Sequence, residues 1–235
     1  MKNIYTDGEY LENNPEWHVA DSEWKSVQIL KIIQENQIEF STVAEIGCGA
    51  GGVICNLQNK IQRTDVTCYG FDISPQAIEI ANDRHHGQDV SFICQDILKP
   101  GNSECFDVML IVDVFEHVPD YLGFVERCQQ KAKYKLYHIP LDIHVSSVFR
   151  NRCTAGRKTL GHLHYFIADS AIASLEDTGH EIVDMAYTNA AVDLFWTHPT
   201  FKKAVANVPR WLLSKFSLPF TARLLGGYSL LVLAK

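Results

Sequence analysis

Four glycines within eight residues, set between a β-prone run and a helical one, constrain this chain more than any other feature. The segment EIGCGAGG spans Glu45 to Gly52 and carries them at positions 47, 49, 51 and 52. Thr42 to Ile46 ahead of it is short and β-prone, while Val53 to Asn59 behind it has helical spacing, so the unit reads strand, tight turn, helix. Glycine lets the backbone turn sharply there and approach a ligand closely. Gly47, Gly49 and Gly52 also satisfy the dinucleotide spacing GxGxxG, which leaves that ligand's identity open.

The rhythm continues along the chain. Asp21 to Asn36 spaces Trp24, Val27, Leu30 and Ile33 as an amphipathic helix ahead of the first strand. Strands are expected at Val66 to Phe71, Val90 to Cys94, Phe106 to Val112 and Tyr134 to Ile139, with helices at Ser74 to His85 and Tyr121 to Lys131. Phe106 to Val112 is almost continuously apolar, as befits a strand covered on both faces of a parallel sheet. Pro140 to His164 interrupts the alternation and is expected to be a loop or small cap over the carboxyl edge of the sheet. A helix at Ala168 to Thr178 and strands at Glu181 to Tyr187 and Tyr228 to Ala234 complete the pattern. It predicts an α/β fold with a doubly wound, Rossmann-like sheet of about seven strands in one domain.

Composition narrows the partners. A formal net charge of -7 gives no basis for binding a nucleic-acid polyanion, so a small molecule is expected instead. The seven cysteines are scattered and form no CxxC pair, which suggests buried thiols in a reducing cytoplasm rather than disulfides or zinc. The start, MKNIYTDGEYLENNPEW, has neither the basic flank nor the apolar run of a signal peptide. No stretch reaches the length of about 18 apolar residues that a membrane span requires.

Acidic residues follow the strand ends. Asp72 lies about 20 residues past the glycine loop, where a carboxylate can accept both hydrogen bonds of a ribose diol; the competing reading, that it caps the next helix, could instead fall to Ser74. Asp96 after the third strand could accept from an adenine amino group, with Ile73 and Ile97 sandwiching the ring; a plain surface turn is the alternative. After the fourth strand, DVFEHVPD (Asp113 to Asp120) sets an acid and an imidazole at the carboxyl edge.

These four segments resemble, in order and spacing over roughly residues 40 to 140, the motifs of class I S-adenosylmethionine-dependent methyltransferases, most closely the ubiquinone and menaquinone biosynthesis branch. The resemblance implies S-adenosylmethionine as cofactor. Glu45, Gly47, Cys48, Gly49 and Gly51 would surround its methionine part, Asp72 the ribose, Asp96 and Ile97 with Ile73 the adenine, and Asp113 with Val114 the sulfonium side. Glu45 stands where many relatives have Asp, so the acid is kept. GHLHYF (Gly161 to Phe166) and the final YSLLVLAK also resemble segments of this branch, implying a late hairpin with one antiparallel strand. Residues 1–36 would then be an N-terminal lid and helix, 37–139 the cofactor core, and 140–167 with 188–227 caps on the acceptor side.

The expected activity is methyl transfer to an oxygen or nitrogen, or else a carbon, of a small-molecule acceptor, an in-line displacement that needs proximity and, for an acidic acceptor, a base. Among ten histidines, His117, His162 and His164 are the candidates for base or acceptor contact. His162 and His164, two apart, should face the same way on extended chain; a metal held there with Asp142 or His144 is set aside for want of a Glu-His set at helical spacing. His138 reads as a hydrogen-bonded core residue. Tyr10 and Trp17 could belong to a lid or simply anchor a terminal arm. Trp196 to Leu225, basic and amphipathic, could touch a membrane surface but is better read as a helical cap or dimer contact. Two other functions stay open: an NAD(P)-dependent oxidoreductase, against which the missing Tyr-x-x-x-Lys pair counts, and a non-catalytic nucleoside-binding protein.

Overall fold

A computed structural model describes residues 21–195 and 200–235. Tyr10 and Trp17, and the first residues of the stretch from Trp196, lie outside the described residues.

Helix α1 (Ser22–Glu35) leads into β1 (Thr42–Ile46), the glycine turn and α2 (Gly52–Ile61). Then follow β2 (Thr67–Asp72), α3 (Pro75–Arg84), β3 (Val90–Cys94) and β4 (Phe106–Val112). A short 3-10 turn (Phe115–His117), α4 (Tyr121–Gln129) and β5 (Ala132–Pro140) complete the parallel part. Ser74 caps α3 by accepting the Ala77 amide, with Pro75 at the first helical position.

The seven strands run in the order β3-β2-β1-β4-β5-β7-β6, where β6 is Ile182–Thr188 and β7 is Ser229–Ala234. All neighbouring pairs are parallel except those of β7, which is antiparallel to both β5 and β6. The single antiparallel last strand expected from the sequence is present, inserted between β5 and β6.

Alternation along the strands divides the core in two. Val108 and Leu110 of β4 join Ile29, Ile32 and Leu57 of the first two helices on one face. Met109 and Ile111 face Val125 and Leu175 on the other, from α4 and from α7 (Ala168–Asp177). Both faces of the central strands are thereby dry, which is why β4 is apolar throughout.

The interruption after β5, expected as a loop or small cap, holds two short helices, α5 (Val145–Phe149) and α6 (Arg152–Thr159). After β6 come the short α8 (Ala190–Asp193), then α9 (Phe201–Ser214) and α10 (Leu218–Leu225). From Phe201 on, the basic amphipathic stretch is helical and leaves large apolar side chains in solvent: Phe201 is 85% exposed, Trp211 52% and Phe216 87%. Among the described residues no helix is long and apolar enough to cross a membrane.

Candidate active site

The glycine turn is anchored from three sides. Glu45, buried on β1, accepts the Ile54 amide at 3.0 Å and so caps α2, whose preceding residue Gly51 offers no side chain. Burial pushes the Glu45 carboxyl up to about 8, against the pull of that hydrogen bond and of Lys25. The amides of Gly47 and Cys48 both donate to the Phe71 carbonyl, at 2.8 and 3.1 Å. The Gly49 amide donates to Asp72 Oδ2 at 2.9 Å and the Gly51 amide to the Cys48 carbonyl at 2.9 Å. A turn that cradles pyrophosphate directs such amides outward; here four are used inside the protein. At Gly47 (φ +67°) a Cβ would sit 2.8 Å from Val114, so the turn and the loop after β4 touch where only hydrogen fits.

Asp72 is buried at the tip of β2, its second oxygen accepting the Ser74 amide at 2.8 Å. Because Ser74 performs the helix cap, Asp72 is not needed for it. Burial raises the Asp72 carboxyl pKa, opposed by the Ser74 and Gly49 amides. Across the turn Asp96 is half-buried and Ile73 is 47% exposed, but Ile97 is 1% exposed within the core. The expected Ile73 and Ile97 sandwich is therefore not formed: Ile97 packs beneath the site and Ile73 alone offers an open apolar surface. A polar concavity of about 600 Å³ runs from Cys94 to Glu104 and includes Asp96.

Asp113, expected on the sulfonium side, has a structural task. It ends β4 with φ +52° and binds Lys25 at 2.8 Å and His138 Nδ1 at 2.7 Å. Burial disfavours its charge, yet Lys25 and His138 outweigh that and hold its carboxyl far below the usual range. Lys25, 7% exposed, also meets Asp21 at 2.9 Å. His138 reaches Thr188 of β6 through its other nitrogen at 3.1 Å and is the hydrogen-bonded core histidine expected.

The histidine candidates separate. His117 lies edge-on to His162, ring centroids 4.8 Å apart, and His162 Nδ1 donates to Asp142 at 2.6 Å. His164 turns elsewhere, against Tyr121 and toward the Val118 carbonyl at 3.0 Å. His162 and His164 thus do not face the same way, because the Leu163 and His164 amides both donate to the Glu116 carbonyl, at 2.8 and 3.0 Å, and bend the chain. His144 caps α5 through Nδ1.

Glu116 is the residue that sequence reading passed over. Its side chain is 0% exposed, and among the described residues neither carboxylate oxygen has a hydrogen-bond partner. Burial, aided by Asp113 and Asp142, raises its carboxyl well above the ordinary value. Glu116, His117 and His162 offer ligand atoms that all lie within 4.8 Å of one another. The motif DVFEHVPD contained the signal: adjacent Glu and His on a turn beside the carboxyl edge.

A family model described as a methyltransferase domain matches residues 44–135. This part of the chain is similar to a methyltransferase domain. The matched span runs from β1 to β5 and holds the glycine turn, Asp72, Asp96 and the Asp113 to His117 loop. A ubiquinone biosynthesis O-methyltransferase from Coxiella burnetii is 26% identical over 110 residues, 46% of this chain and 45% of its own. A malonyl-[acyl-carrier protein] O-methyltransferase from Bacillus cereus is 27% identical over 139 residues, 58% of this chain and 46% of its own. The chain thus aligns over less than half the length of these curated relatives. Among solved structures, the N-methyltransferase NodS from Bradyrhizobium japonicum in complex with S-adenosyl-l-homocysteine shares the fold, with TM-score 0.61 and 17% identity over 99% of this chain and 98% of that one.

Proposed function

We propose that this chain transfers the methyl group of S-adenosylmethionine to an oxygen of a small-molecule acceptor, in a reducing cytoplasm. The observation that carries this reading is the inward-turned glycine loop beside Asp72: a cradle sealed by the missing Cβ of Gly47, with a carboxylate at its rim and four amides withheld from any pyrophosphate. That arrangement suits an uncharged ribose better than a dinucleotide. The antiparallel β7, inserted between β5 and β6, also departs from the strand order of the dinucleotide-binding sheet. The matched relatives being O-methyltransferases supports oxygen as the receiving atom.

Bound S-adenosylmethionine would supply an electrophilic methyl carbon on a sulfonium. Asp72 retains lone pairs beyond those given to Gly49 and Ser74, enough to accept from a ribose diol. Ile73 would offer an apolar surface to the adenine and Asp96 an acceptor for its amino group. Gly47, Gly49 and Gly51 admit the methionine part, with Glu45 and Cys48 shaping the turn from beneath and Val114 beside the sulfonium. His117 and His162 stand at the acceptor position, Asp142 fixing the His162 ring. His164 supports the loop from behind through Tyr121.

Calorimetry with S-adenosylmethionine, S-adenosylhomocysteine and NAD tests the reading. Micromolar affinity for the two adenosyl ligands and none for NAD is expected; the reverse would overturn it. Asp72→Ala should weaken adenosyl binding at least tenfold, since it removes the ribose acceptor and frees the Gly49 amide; unchanged affinity would remove Asp72 from the site.

A further inference from the structure

The three residues gathered behind the acceptor position have the makings of a metal centre. We propose that Glu116, His117 and His162 bind one divalent transition-metal ion; its use in methyl transfer rests on the reading above, while its existence does not.

Glu116 points to a ligand most directly. A carboxylate with no exposed surface and no hydrogen bond among the described residues is strongly disfavoured, and native proteins answer that with a partner. Lys25 does not serve, being committed to Asp21 and Asp113 at 2.9 and 2.8 Å. A bound cation would give the Glu116 carboxylate such a partner.

Geometry agrees. Ligand atoms held about 2.0–2.2 Å from a common ion lie roughly 3–4 Å from one another. Glu116 Oε1 and His117 Nε2 are already 3.9 Å apart, and all three ligand atoms fall within 4.8 Å, so small side-chain rotations close the set. Asp142 grips Nδ1 of His162 at 2.6 Å, which leaves Nε2 as that ring's ligand atom in the carboxylate-histidine-metal arrangement. The backbone is clamped as well: the Glu116 carbonyl receives the Leu163 and His164 amides, tying the two ligand-bearing segments together whether or not an ion is bound.

Two imidazoles and one carboxylate favour zinc, iron, cobalt, nickel or manganese over calcium and magnesium, which take oxygen ligands. Three protein ligands leave coordination positions for water or for the acceptor oxygen, whose proton would be lost more readily on the ion.

The test uses chelator-treated full-length chain titrated with Zn²⁺ by calorimetry and with Co²⁺ by visible absorption. One ion per chain is expected, with cobalt ligand-field bands. Affinity should fall at least tenfold in Glu116→Gln and in His162→Gln, and by about 10–100-fold in Asp142→Asn, which spares all three ligands. S-adenosylhomocysteine binding, measured on the same samples, reports that each variant is folded. Absence of stoichiometric uptake by the unaltered chain overturns the proposal, as does uptake that Glu116→Gln and His162→Gln leave unchanged. Uptake without S-adenosylhomocysteine binding would uphold the ion site and sink the cofactor reading; S-adenosylhomocysteine binding without uptake would do the opposite.

Discussion

Lys25 ends between Asp21 and Asp113 with almost no exposed surface, and Asp113 itself holds a backbone conformation that residues with a Cβ rarely adopt. The ion pair keeps the end of β4 in that conformation beside the glycine turn. Lys25→Met should cost about 1–3 kcal/mol, because a half-buried carboxylate that keeps His138 loses its cation. Lys25→Met combined with Asp113→Asn should recover part of that loss; urea denaturation of the single and double variants measures it, and strict additivity would show that the two do not interact. Gly47→Ala should destabilise by roughly 1–2 kcal/mol, through its left-handed φ and the contact with Val114. The Gly47 effect follows from the turn motif; that of Lys25 does not. Within the helical period of α1 a lysine reads as solvent-facing, and its partner Asp113 lies at the end of β4, far along the chain.

Individual elements carry their own titrations. His180 follows Gly179 at the end of α7 and its Nε2 meets the Tyr137 hydroxyl of β5 at 2.8 Å. Burial lowers its pKa to about 4, with Lys135 adding to the effect. Since the folded pKa lies below the ordinary 6.5, the unfolded chain takes up the proton first, and stability falls as pH drops from about 6.5 towards 4. A loss on the order of 1 kcal/mol by pH 5 is expected, and His180→Gln should flatten that limb in pH-dependent chemical denaturation. Glu45 acts on the other side. Its folded pKa of about 8 lies above the ordinary 4.5, so its contribution is full below about 4.5 and is lost as pH rises from there to 8. Glu45→Gln keeps an acceptor for Ile54 and should remove that decline.

The strands were legible because each burial environment writes its own period, and β1, β3 and β4 begin and end where the residue pattern puts them. Helices α5 and α6 were not, since α5, at five residues, is too short to show a helical period and α6 is polar.

For the whole molecule, a ligand that binds only the folded state raises stability by about 2.7 kcal/mol at a hundred times its Kd. In a chain of 235 residues this corresponds to a rise in Tm of roughly 5–10 °C. S-adenosylmethionine should produce that rise in a thermal melt and NAD should not; equal shifts would argue against the assignment of the glycine turn.

Local signals were enough for the α/β class, the strand-turn-helix at Glu45 to Gly52 and the acids that follow each strand, because backbone geometry and burial periodicity act over a few residues. Tertiary structure alone decided that Ile97 is core and Ile73 is surface, that Asp113 belongs to Lys25 and His138, and that His162 meets Glu116 and His117 while His164 turns away. Those outcomes depend on which distant segments share a sheet edge and on which buried charges find a partner there, and a linear pattern does not encode that distance.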